Sequence, residues 1–294
     1  KAAINAYLGK VYLTMATTLP DNKAENLQQA NTYLLAAYNM RTFGSLAEIP
    51  YADVFDVAKE TTNKEAIFQI AYLQGDLDYS SRIAANNQAK GETINSQNIA
   101  TGIGAKAMPD LVKDYETNDP RKAFSVKFGN NPQVQHWFIT KYRDASDAAG
   151  KNGYGGNDWI LMRYADVILM LAEVNNLMGN DAQAIQYLDM VRARAGLPLY
   201  AVARTNADYN TKYPTLKLAI LHERRVELAF EHHRWFDLLR AFNATELVAF
   251  FKAKSQADYG NAKLSNISTK DRYYPIPFDE VKLDPVKMYQ NPGY

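Results

Sequence analysis

Glu223, Glu227 and Glu231 stand four residues apart in the stretch LHERRVELAFEHHRWFDLLR, Leu221 to Arg240. At helical spacing they form one stripe, and carboxylates so placed could hold a metal or share acid–base work. A di-iron carboxylate bundle pairs a Glu with a His three residues later, but Val226, Phe230 and Arg234 occupy those positions. His232 and His233 are adjacent and point in different directions, the chain holds only 4 His, and no His-Glu-x-x-His occurs. The remaining chemistry is electrostatic. Like charges at this spacing repel unless partners intervene. Arg224 lies three residues before Glu227, Glu231 lies three before Arg234, and Arg163, Arg192 and Arg194 stand ready upstream. The pattern predicts a partly buried ion-pair network that fixes how helical hairpins stack, with no metal and no catalytic residue.

Other reactive signatures are missing from the sequence. With 0 Cys there is no disulfide, thiolate nucleophile or cysteine-based metal site. There is no Gly-x-Ser-x-Gly elbow and no phosphate-cradling Gly-x-x-x-x-Gly-Lys. Gly102-Ile103-Gly104 lacks the third glycine of a dinucleotide site. Nothing among the 32 acidic residues marks the carboxylate pair of a glycosidase. The expectation is a binding protein without a cofactor, not an enzyme.

For binding, the informative residues are aromatics in loops, because aromatics on helix faces usually serve the core. A sugar presents a C–H face that stacks on a flat ring, and a few polar groups then fix its orientation. By loop placement Tyr79, Tyr154 and Trp159 are the candidate stacking residues, with Arg82, Asn98 and Asn157 as hydrogen-bonding companions. Trp137 serves packing or binding equally, and Trp235 reads as core.

Apolar residues at spacings of three and four predict helices over about Ala3 to Met15 and Ala24 to Met40, an αα-hairpin. A second hairpin begins with a helix capped by Asp158 and running to Met178; it stops at Gly179, restarts after Asp181 and ends at Gly196. A third pair covers about Thr215 to Phe230 and His233 to Lys252. Ala66 to Leu73 and His136 to Tyr142 read as short strands. Residues 41–65, 73–110 and 143–158 are loop-rich, and loops of such length in a compact domain are usually functional or disordered. The fold class is all-α: irregular tetratricopeptide-like helical hairpins in a superhelical array, with long loops and a few short strands.

The 33 basic residues balance 32 acidic ones, so nothing electrostatic points to nucleic acid or to an anionic membrane. The most apolar run, Ile160 to Met178, is broken by Arg163, Asp166 and Glu173 and falls short of a membrane span.

Several stretches together resemble the SusD/RagB family. Leu221 to Arg240 matches its ERR-ELAFEG-RWFDL-R motif at Glu223, Arg224, Arg225, Glu227 to Glu231, Arg234 to Leu238 and Arg240, with His232 where the family commonly has Gly. Arg163 to Glu173 resembles its RYADVLLMYAEA helix, Val191 to Leu197 its VR-RAGL helix end, and Asp119-Pro120-Arg121 its DPR element. Tyr274 to Pro277 with Gln290 to Tyr294 resembles its PIP…QNPGY tail. The order of these pieces is also the family's.

That resemblance implies a single helical domain over 1–294, lacking the N-terminal signal and lipid segment and the first helical region. It implies a lipoprotein on the outer face of the outer membrane, attached only through a lipid anchor upstream. Such a protein binds oligosaccharides, or in some members peptides, and hands them to a SusC-like TonB-dependent transporter. The alternatives are a tetratricopeptide-type protein-interaction scaffold and a glycan-cleaving enzyme. The six candidate ligand residues come from loop placement and are not carried over from the family.

Overall fold

The computed structural model describes residues 1–19, 21–87, 89–92, 104–259 and 264–294. They form two compact units, Lys1–Arg234 and Trp235–Tyr294.

The first unit is built on helical hairpins. Helices α1 (Ala2–Thr18) and α2 (Lys23–Tyr38) pack along Ala6, Gly9, Leu13 and Ala16 on one side and Leu27, Ala30, Leu34 and Ala37 on the other. Small residues at the contact let the axes close in. A Cβ added at Gly9 would stand 2.5 Å from Leu34 Cγ, so glycine is what this crossing requires. Helices α3 (Tyr164–Leu177) and α4 (Asp181–Arg194) form the second hairpin, and α5 (Leu216–Glu227) packs on both. From Tyr164 to Ala172 every residue of α3 is buried. A helix apolar all round belongs in the interior, and α3 is the central element, touching α1, α2, α4 and α5. Leu169, Leu171, Ala172, Leu188 and Val191 lie in its core cluster.

Among the described residues, four short strands make two antiparallel pairs. Strand β1 (Ala66–Ile70) pairs with β4 (Trp159–Arg163), placing Ile70 opposite Trp159; β2 (Val126–Phe128) pairs with β3 (Trp137–Ile139). Both expected strands are present but shorter than their apolar runs.

The expected helix beginning at Asp158 is corrected. Residues 159–163 are strand, and helix begins only at Tyr164. The run WILMR is apolar without a decisive period, so pairing with β1 settles its conformation. Asp158 is no helix cap. Its carboxylate accepts from Gln69 Nε2 at 2.6 Å and from the Tyr72 amide at 2.8 Å, fastening the start of β4 to β1.

The third pair also differs. Helix α5 ends at Glu227, and Leu228 to His233 form a turn in which Phe230 and His232 take φ of 66° and 62°. Of the second unit, α6 (Arg234–Ala241) and α7 (Ala244–Lys252) are separate because Asn243 caps α7 in a capping box with Glu246. Within that unit Trp235 meets Phe251 and Tyr274, and the Gln290 amide bonds both backbone groups of Ile276 at 2.7 and 2.8 Å.

Candidate functional site

The glutamate stripe on and just after α5 is the charged centre of the first unit. Glu223 accepts from Arg121 Nη1 at 2.7 Å and Arg192 Nη1 at 3.0 Å. Glu227 accepts from Arg121 at 2.9 Å, from Arg163 Nη1 at 2.6 Å and from Arg194. Glu231 takes Arg163 Nε at 2.7 Å and Lys141 Nζ at 2.6 Å. Glu65, at the foot of β1, binds Arg163 at 2.6 Å and Arg194. Each of these side chains is at most 1% exposed.

At such depth an unpaired charge is costly, and pairing sets the ionisation. Burial opposes the Glu231 carboxylate, yet Arg163 and Lys141 outweigh it and hold Glu231 down at about 2. Burial pulls Lys141 down to about 8 against the attraction of Glu231. The glutamate oxygens are taken by guanidinium and ammonium donors. This is the predicted network, and it joins β1, β4, α4, α5 and the short helix Pro120–Ser125.

Its wiring differs from the local pairing expected. Arg224 reaches Asp166 on α3 at 2.8 Å, and Arg234 donates to the Leu221 carbonyl at 3.0 Å. Arg121, Lys141 and Glu65 were not foreseen as partners. Only the Asp119-Pro120-Arg121 resemblance hinted at one of them: Asp119 caps the short helix and grips Arg121 at 2.8 Å.

Above this frame, two loops meet. Ser81 and Gly155 exchange backbone hydrogen bonds of 2.7 and 2.9 Å, and the Gly75 amide binds the Tyr154 carbonyl at 3.0 Å. Three of the predicted residues gather here. Tyr79 is 70% exposed, and the Arg82 guanidinium lies 5.2 Å from the Tyr154 ring centre. Trp159 is half-buried, stacked on Tyr142 at 5.5 Å and edge-on to His232 at 5.3 Å. Asn157 is 2% exposed and donates Nδ2 to the Arg143 carbonyl at 2.9 Å, so it shapes the loop from beneath. Asn98 lies outside the described residues.

A cleft of about 520 Å³ adjoins the loops, between turn 51–58 and residues 143–146. Phe55 and Phe124 supply its apolar lining; Asp53, Gln74, Arg143 and Asp144 supply polarity. Arg143 lies 4.4 Å from the Phe124 ring centre and bonds the carbonyls of Thr140 and Phe124, both at 2.7 Å. Burial raises the Asp144 carboxyl, but bonds from Gln74, Ser146 and Gly156 bring it below the usual carboxylate range. The glycine-rich composition of 143–158 pointed to this segment, but not to Gln74 or Phe124. Aromatic faces beside fixed acceptors and donors can hold a polyhydroxylated ligand. No helix among the described residues is long and apolar enough to cross a membrane.

The SusD family model matches residues 124–294. SusD-like protein P2 of Formosa agariphila is 25% identical across all of this chain, which covers 59% of that protein. A laminarin-binding SusD-like protein of known structure is 26% identical with a TM-score of 0.68; the match covers 100% of this chain and 62% of that one. Surface glycan-binding protein A from Bacteroides uniformis shares the fold at a TM-score of 0.71 and 21% identity, over 96% of this chain and 60% of its own. The chain thus spans about three fifths of the length of these relatives. With the family model covering more than half its length, and its helical hairpins superposing on those of known members, the chain belongs to the SusD family.

Proposed function

We propose that this chain acts in glycan binding at the bacterial cell surface, capturing oligosaccharides and passing them, uncleaved, to a TonB-dependent transporter. The observation that carries the reading is the union of family and site. The chain that the family model matches over residues 124–294 also carries a loop pair bearing Tyr79, Arg82 and Tyr154 next to a cleft with aromatic and polar walls. The relative named for binding laminarin has the higher sequence identity of the two solved structures described above, which makes β-glucans the first ligands to try. An outer-membrane location through a lipid anchor belongs to the same proposal.

The physical division of labour is simple. The buried ion network holds the strands and helices from which the loops spring, and the loops offer rings for stacking. Stacking excludes water, and fixed groups such as Asp144 then select hydroxyl positions. The experiment is a glycan-array screen of the purified chain, followed by an assay of reducing ends on every hit. Saturable binding with no new reducing ends is expected. Release of reducing ends would make the protein a hydrolase, and a silent array with capture of peptides would replace the ligand class.

A further inference from the structure

A second cleft, of about 460 Å³, opens elsewhere in the first unit, between residues 113–117 and the segment 198–213, and its lining shares no residue with the cleft beside the loop pair. Its size lies within the about 300–1,000 Å³ of small-ligand sites. Tyr213, which follows the short helix Ala207–Lys212, is half-buried and lines this cleft. Three contacts hold its ring. His222 of α5 stacks on it at 4.0 Å and 19°, Tyr209 meets it edge-on at 5.0 Å, and its hydroxyl donates to Asp114 Oδ1 at 2.5 Å. A ring so fixed loses little freedom when a ligand stacks on it.

The charges of the walls decide what kind of ligand fits. Asp114 also accepts from Arg225 Nη1 at 2.9 Å, and Glu116 takes both terminal nitrogens of Arg192 at 2.7 and 3.1 Å, so both carboxylates are already compensated. Toward solvent the unspent groups are of mixed kind. The exposed side chains of Asp208 and Lys212 carry opposite charges and make no ion pair or hydrogen bond among the described residues. Asn206 Oδ1 accepts from the Tyr209 amide at 3.0 Å, which leaves its Nδ2 as a donor. Acceptor, donors and a fixed ring beside the apolar Val202 and Ala203 suit a neutral polyhydroxylated ligand better than an ion. We propose that this cleft is a second oligosaccharide subsite, where a sugar ring stacks on Tyr213 and its hydroxyls bond Asp208, Lys212 and Asn206. The subsite rests on the glycan reading proposed above and enlarges it from one site to two.

The test is calorimetric titration of a β-glucan trisaccharide into the full chain. Wild type is expected to bind two equivalents. Tyr79→Ala is expected to weaken one step and the double variant Asp208→Ala, Lys212→Ala the other, each by at least about tenfold. Because Asp208 and Lys212 are exposed and unbonded, the double variant should keep the wild-type Tm. Tyr213→Phe keeps the stacking face and should keep the second step, whereas Tyr213→Leu should lose it. A single equivalent that Tyr79→Ala abolishes overturns the second subsite and leaves the glycan reading standing. Two equivalents that the double variant binds with wild-type affinity overturn it too, by placing the second sugar elsewhere. A chain silent across a glycan array overturns both at once.

Discussion

The Arg163 guanidinium bridges two glutamates four residues apart, donating Nη1 to Glu227 at the end of α5 at 2.6 Å and Nε to Glu231 in the following turn at 2.7 Å. Arg163 is the last residue of β4, and its remaining bonds go to Glu65, the Glu227 carbonyl and the second oxygen of Glu231. One planar side chain thus ties strand to helix through a fork that an ammonium group cannot reproduce. Arg163→Leu should cost about 3–5 kcal/mol, because it strands buried carboxylates. Arg163→Lys should recover only part of that loss. Urea unfolding followed by circular dichroism measures both.

Acid should weaken this frame with a definite sign. Glu231 has a folded value near 2, below its ordinary 4.5, so it contributes stability that is full above about 4.5 and lost as pH falls toward about 2. Glu116, beside His222 and Arg192, is also held at about 2 and adds to the same slope. The urea midpoint should therefore drop steeply between about 4.5 and about 2. Glu231→Gln should flatten that slope while lowering stability at neutral pH.

At Gly9 two effects compete. Replacing a helical glycine by alanine ordinarily gains up to about 1 kcal/mol. Here the new methyl would sit 2.5 Å from Leu34 Cγ, and overpacking of that kind costs about 1–3 kcal/mol. The clash wins, so Gly9→Ala should lower Tm. Adding Leu34→Ala should reverse the sign of the Gly9→Ala effect in a double-mutant cycle.

His232 sits at φ 62°, in the left-handed region, where a side chain costs about 1–2 kcal/mol relative to glycine. Its ring meets Trp159 edge-on at 5.3 Å, a contact worth about 0.5–1.5 kcal/mol. His232→Gly should therefore stabilise slightly, by up to about 1 kcal/mol, and should loosen Trp159. Tryptophan fluorescence together with Tm checks both halves.

The frame was readable in the sequence because its signals are periodic. Glu223, Glu227 and Glu231 announce a stripe, and their need for cations pointed to Arg163, Arg192 and Arg194, which the structure brings to them. Lys141 and Glu65 carry no such mark, since partners 90 or more residues away in sequence leave no local pattern. Residues 159–163 misled for a different reason: a five-residue apolar run fits either helix or strand until its neighbour is known. The loop site was readable only as composition. Arg82 and Tyr154 do meet, with Tyr79 exposed on the adjoining loop, but Asn157 turns inward to a carbonyl, which no loop propensity could reveal.

Recognition by the exposed rings of the loop pair is the central claim, and calorimetric titration of a β-glucan oligosaccharide into wild type and Tyr79→Ala tests it most directly. The account predicts saturable binding that weakens by at least about tenfold in the variant, at unchanged Tm, because Tyr79 is 70% exposed and covering a ring of that size on binding is worth about 1.5–3 kcal/mol. Equal affinity in the two proteins would contradict it.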